Sequence, residues 1–155
     1  MDQDAFRETY REINERPCPF EKAVLTNQCE CRHAERFCIA EREGLSCLSD
    51  AGQQRCLQWL ERVREQARFA LKTAAHPDQP ALGHGKAIAI QVGGLRGLHV
   101  TLHPDEGPPV IISDVDALLR EALARHGDFG QVDMQAVIQQ VAAYKSKKRA
   151  RRNRR

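Results

Sequence analysis

The chain has 155 residues, of which 41% are hydrophobic and 29% charged, proportions typical of a soluble protein with one ordinary domain or two small lobes. It contains no apolar run near the roughly 20 residues that a membrane-spanning helix needs. Residues 1–4 are acidic, unlike the basic and then apolar start of a secretory signal. We therefore expect a cytoplasmic protein, in a compartment where cysteines bind metals or react more often than they form disulfides.

Positive charge is concentrated at the C-terminus. The formal net charge is +3, but residues 145–155 hold eight of the 24 lysines and arginines and no acid, which leaves 16 basic and 21 acidic residues in 1–144, a net charge of −5. Such a tail can contact an acidic protein, nucleic acid or an anionic membrane surface, or only keep the chain soluble. We expect a protein partner or complex first. The predicted partner-binding residues are Lys145, Lys147, Lys148, Arg149, Arg151, Arg152, Arg154 and Arg155.

In chain order, the first half predicts a helical lobe over residues 1–75 that contains every cysteine. Its first helix is amphipathic, because Phe6, Tyr10 and Ile13 share one helical face. The start of its last helix carries a capping signal. The four predicted helices span residues 2–16, 20–28, 33–43 and 50–74.

The second half has a different pattern. Residues 76–85 are rich in proline and glycine and predict a linker. Beyond it, apolar residues alternate at a period of two, which predicts strands over 86–92, 98–102 and 110–112, with a glycine-rich turn between the first two. Two helices follow. We therefore expect an α+β fold, in which a cysteine-rich helical lobe is followed by a lobe over residues 86–144 with a three-stranded antiparallel meander and two C-terminal helices.

All six cysteines lie within residues 18–56. A free cysteine can be an ordinary core residue, and Cys38, in an apolar run, fits that description best. The others lie in expected loops or near a helix start, where free backbone N–H groups stabilise thiolates. The predicted metal ligands are Cys18, Cys29, Cys31, Cys47 and Cys56.

The spacing of these cysteines favours an iron–sulfur cluster over zinc. Zinc sites usually contain paired C-x₂₋₄-C motifs, whereas here Cys29-x-Cys31 is the one close pair. The ferredoxin motifs are also absent, but clusters are bound by widely separated cysteines as well. Because four thiolates normally suffice, one of the five would be a bystander or an exchangeable ligand. His33 could serve as an alternative ligand.

No catalytic set can be assigned elsewhere in the sequence. The segment 83–86 fails the phosphate-loop pattern, and the scattered histidines form no triad. We therefore predict an accessory iron–sulfur protein without catalytic residues, which carries electrons or helps to assemble or deliver a cluster within a larger complex. The alternative is a zinc-stabilised module that binds nucleic acid through the basic tail. The third hypothesis is a purely structural protein whose cysteines only pack in the core.

Overall fold

The computed structural model describes residues 3–68 and 83–144, which form a mixed helical and β structure. Its helices are α1 (Gln3–Ile13), α2 (Glu21–Leu25), α3 (Asp50–Ala67), α4 (His84–Leu102), α5 (Val115–His126) and α6 (Met134–Ala143), with a 3-10 turn at Phe129–Gln131. Its strands are β1 (Ala34–Ile39) and β2 (Arg42–Cys47), which pair antiparallel. The predicted α+β class is confirmed. None of the helices in these two ranges is long and apolar enough to cross a membrane.

A β-hairpin stands where the sequence predicted a helix over residues 33–43. β1 and β2 are joined by the two residues Ala40 and Glu41, and Ala34 pairs with Cys47 at the open end. Ala40 has a φ of 56°, in the left-handed region that glycine and asparagine usually occupy in such turns. The predicted helix is therefore wrong, and the first half of the chain is not purely helical.

One buried helix replaces the predicted meander. α4 includes both segments 86–92 and 98–102, and the glycine-rich turn expected between them is helical. The third predicted strand, 110–112, contains only an isolated bridge between Ile112 and Cys29. The three-stranded meander is therefore wrong. α4 is buried on most of its surface, so its sequence lacks the one-sided apolar stripe that marks a surface helix.

Gly93 and Gly97 allow α4 and α6 to approach closely. A Cβ atom built on Gly93 would lie 2.5 Å from the Val141 Cα, and one on Gly97 would lie 2.3 Å from the Val137 Cα. Carbon atoms do not approach that closely without bonding, so the backbone of α6 must pass directly over these two glycines. The glycines therefore serve helix packing rather than a turn.

The hydrophobic core is continuous and takes residues from both predicted lobes. Trp59 and Val63 of α3 lie in it together with Leu95 and Leu98 of α4. Residues of α2, α5 and α6 complete it. The cysteine-bearing segments therefore rest on the helices of the second half of the chain.

The remaining helices agree with the predicted positions. α1, α2, the start of α3 and both C-terminal helices begin within a few residues of where the sequence placed them. Ser49 caps α3 by accepting a hydrogen bond from the Gly52 N–H. The predicted end of that helix, the linker residues 76–82 and the whole basic tail with its eight predicted partner-binding residues lie outside the described ranges.

Candidate metal centre

Four of the five predicted ligands line one pocket. Cys18 lies in the loop after α1, Cys31 in the loop before β1, Cys47 at the end of β2, and Cys56 near the start of α3. The pocket is small, with a cavity volume of about 10 Å³. Two loops, a strand and a helix thus each contribute one thiol.

Backbone hydrogen bonds hold the first loop against the hairpin. The Cys18 N–H donates to the Leu45 carbonyl oxygen at 3.1 Å, and the Cys47 N–H donates to the Arg16 carbonyl oxygen at 2.7 Å. The chain around Cys18 therefore runs beside β2 like an additional strand. This pairing fixes Cys18 and Cys47 on the same side of the hairpin.

The loop of Cys31 is fixed from two directions. The Leu48 N–H donates to the His33 carbonyl oxygen at 2.8 Å, which ties this loop to the residue after Cys47. The backbone N–H groups of His33 and Asp116 donate hydrogen bonds to the Cys31 sulfur. Donors of this kind favour a thiolate, but burial outweighs them and the pKa of Cys31 is raised.

The four thiols are shielded from water to different degrees. Cys47 and Cys56 are buried, whereas Cys18 and Cys31 are half-buried. Burial raises the pKa of Cys18 to about 12 and also raises the pKa of Cys31 and Cys56. Neighbouring cysteines raise the pKa of Cys18 and Cys56 further, because each thiolate would repel the next. A bound cation is what would stabilise several thiolates here at once.

The distances between ligand sulfurs differ between a site for a single metal ion and a site for a cluster. Thiolates at about 2.3 Å from one zinc ion lie about 3.8 Å from each other. Within residues 3–68 and 83–144, no three histidine, cysteine or carboxylate side chains are gathered tightly enough to hold one metal ion. Thiolates that bind a cluster stand farther apart, because several irons lie between them. The four sulfurs thus line one pocket, but within the described residues they are not gathered as ligands of a single ion.

Cys29 and Cys38 do not line the pocket. Cys29 is 1% exposed, and burial raises its pKa, with smaller contributions from Cys18 and Cys31. Cys29 therefore lies near two of the pocket thiols without lining the pocket, and it is the cysteine that we expect to be the bystander. Cys38 was expected to pack in the core but is exposed on β1. That expectation is wrong because Cys38 lies in a strand, where neighbouring side chains point to opposite faces.

A charged network flanks the pocket, and sequence analysis missed its centre, Asp116. The Asp116 side chain is 4% exposed and accepts hydrogen bonds from Arg55 at 3.0 Å and Arg120 at 2.9 Å. His33, which also lines the pocket, has its Nε2 at 3.4 Å from Asp116 Oδ2. Burial opposes ionisation of Asp116, but these neighbours outweigh it and lower its pKa. Only the Arg120 pair, four residues along the helix, could have been found in the sequence.

The comparisons with known proteins do not add a relative. No protein-family model matches the chain, and no curated protein or solved structure matches it at a significant level. The class of protein is therefore defined by the fold and the site alone. It is an α+β protein with a candidate thiolate-ligated metal centre at the junction of a β-hairpin and a helical core.

Proposed function

We propose that this chain is an accessory iron–sulfur protein whose cluster is bound by Cys18, Cys31, Cys47 and Cys56. The observation that supports this proposal is that four thiols from four separate elements line one shielded pocket. Core packing does not require thiols to converge, whereas a cluster does. When bound, a cluster supplies one-electron chemistry. The chain itself supplies the thiolates, the shielding from water and the nearby charges that set the reduction potential.

The unequal burial of the four thiols suggests how the centre is used. Cys18 and Cys31 are half-buried, while Cys47 and Cys56 are buried. Electrons, or a cluster that is passed on, would cross the protein surface at the edge formed by Cys18 and Cys31. We propose that a partner protein docks over this edge, in the cytoplasm or another compartment that keeps thiols reduced.

The first test is the metal content of protein purified without oxygen. We expect iron and acid-labile sulfide in similar amounts, with the broad visible absorption of a cluster. Stoichiometric zinc without sulfide would instead support the zinc-stabilised module that binds nucleic acid through its tail. Protein that contains no metal, and takes up neither iron with sulfide nor zinc, would contradict both readings.

Deletion of residues 145–155 should leave the iron and sulfide content unchanged, because the proposed ligands all precede residue 57. It should abolish any binding that weakens with salt, because it removes eight positive charges. Both chains would be assayed for iron and sulfide, and for binding to a labelled single-stranded RNA at low and high salt. Loss of iron on truncation would contradict the proposed ligand set. Tight, salt-dependent RNA binding by the full chain alone would assign the tail to nucleic acid rather than to a protein partner.

A further inference from the structure

Given the cluster proposed above, we infer that Asp116 is a positioning residue of the metal centre. Its carboxylate holds the loop of Cys31 and the helix of Cys56 at a fixed separation, and its charge offsets the cations beside the pocket. Asp116 lines the same pocket as both cysteines but lies 60 residues from Cys56 in the sequence. It is thus the contribution of the second half of the chain to a site whose thiols all come from the first half.

Two contacts of the carboxylate reach residues within two positions of a proposed ligand. Arg55, which immediately precedes Cys56, donates from its Nη2 to Asp116 Oδ1 at 3.0 Å. His33, two residues after Cys31, places its Nε2 at 3.4 Å from Asp116 Oδ2. One carboxylate, carried by a 12-residue helix, therefore joins the two segments that bear these ligands. Few other groups in the pocket could fix their separation in this way.

The backbone of Asp116 contributes as well. Its N–H donates to the Cys31 sulfur and also lies 3.2 Å from Oδ1 of Asp114, the N-cap residue of α5. Asp114 Oδ2 accepts a 2.6 Å hydrogen bond from the Nε of Arg32, the residue after Cys31. The start of α5 is thus bound to the Cys31 loop through the Cys31 sulfur and through the Arg32 side chain. Burial raises the pKa of the Cys31 thiol, as do the charges of Asp114 and Asp116, and together they outweigh the backbone donors that favour the thiolate.

The charge of Asp116 matters because three arginines face it. Arg55 and Arg120 bond to it, and Arg32 lies 3.9 Å from Oδ2. Reduction adds negative charge to a cluster, so positive charge left uncompensated near it stabilises the reduced state. Removal of the carboxylate charge should therefore make the reduction potential more positive. A residue with a purely structural role would not shift the potential in this way.

The experiment compares Asp116→Asn with the intact chain in the cluster-loaded protein. Asparagine keeps the size and the backbone N–H but not the charge, so we expect most of the iron and sulfide to remain and the reduction potential to rise. Asp116→Ala should also lose iron to a chelator several-fold faster. The matched control is Asp133→Asn, which alters the N-cap of α6 outside the pocket and should leave the potential unchanged. An unchanged potential in a fully loaded Asp116→Asn protein would overturn the proposal.

A second measurement, on metal-free protein, tests the positioning role of Asp116 independently of whether the chain binds a cluster. Maleimide labelling, quantified peptide by peptide, would follow Cys31 and Cys56 against the exposed Cys38 as an internal reference. Asp116→Ala should label Cys31 and Cys56 several-fold faster than Asp116→Asn, which removes the same charge and its effect on the pKa of both thiols but keeps a side chain of the same size as an anchor. Labelling rates equal to those of Asp116→Asn would contradict the positioning role. If the chain binds no iron but the labelling responds, the proposed function fails and the positioning role stands.

Discussion

Replacement of any one of Cys18, Cys31, Cys47 or Cys56 by serine should remove most of the iron and acid-labile sulfide from protein purified without oxygen. A serine hydroxyl stays protonated near neutral pH and is a harder, weaker ligand for iron than a thiolate. Changes in residues that only support ligands cost about 10–100-fold in metal affinity, so removal of a ligand should cost more. The measurements are iron and sulfide per chain and the visible spectrum.

The remaining two cysteines provide matched controls for this series. Cys38→Ser should change neither the iron content nor the stability, because Cys38 is exposed on β1. Cys29→Ser should retain iron but lower the free energy of unfolding by about 1–3 kcal/mol, because it buries a hydroxyl that lacks a partner. Loss of iron from Cys29→Ser together with its retention in one of the four pocket variants would show that Cys29 is a ligand and that the proposed set is wrong.

A cluster in this pocket would also act as a cross-link. Its ligands would join two loops, β2 and α3, which otherwise meet through a few hydrogen bonds and the shared core. A group that binds the folded chain stabilises it by mass action, and metal sites couple strongly to folding. Replacement of a ligand should therefore lower the free energy of unfolding by more than the loss of one buried thiol alone. The additional loss, which Cys38→Ser should not show, would be the contribution of the bound group.

The residues of the candidate site could be predicted because the pattern that marks them is local. Their density and their place beside proline, glutamate or serine were visible in the sequence, and four of the five predicted ligands line the pocket. Their arrangement could not be predicted, because it depends on the hairpin. The turn of that hairpin is Ala40–Glu41, which lacks the glycine, asparagine or aspartate that signals a two-residue turn. Asp116 was missed because Arg55 and His33 reach it only through the tertiary fold.

The error over residues 86–102 has a different physical cause. Ile88, Ile90 and Val92 alternate as in a strand, but in the structure all three are buried together with the residues between them. A helix surrounded by other elements needs no polar face, so its apolar residues follow no single period. The glycines that suggested a turn are the positions where α6 passes closest to α4. Close packing and turns both select glycine, and the sequence alone does not separate them.

Gly97→Ala should lower the free energy of unfolding by about 1–2 kcal/mol. The new Cβ would lie 2.3 Å from the Val137 Cα and 3.0 Å from the Ala136 carbonyl oxygen. Both are backbone atoms, which cannot rotate away as a side chain can, so α4 and α6 must move apart. Overpacking of this kind costs about 1–3 kcal/mol, and alanine regains only about 0.5–1 kcal/mol through helix propensity. Urea unfolding followed by the fluorescence of Trp59, the only tryptophan and fully buried, would measure the change.

Gly85→Ala is the matched control, because it makes the same substitution in the first turn of the same helix. A Cβ atom at Gly85 would meet no atom within 4 Å, so the helix propensity of alanine should raise the free energy of unfolding by about 0.5–1 kcal/mol. The changes in the free energy of unfolding should thus have opposite signs in the two variants, provided that both samples contain the same amount of metal. A stabilising effect at both positions would mean that α4 and α6 are not in close contact at Gly97. A loss at both would mean that glycine is needed along α4 for a reason other than the approach of α6.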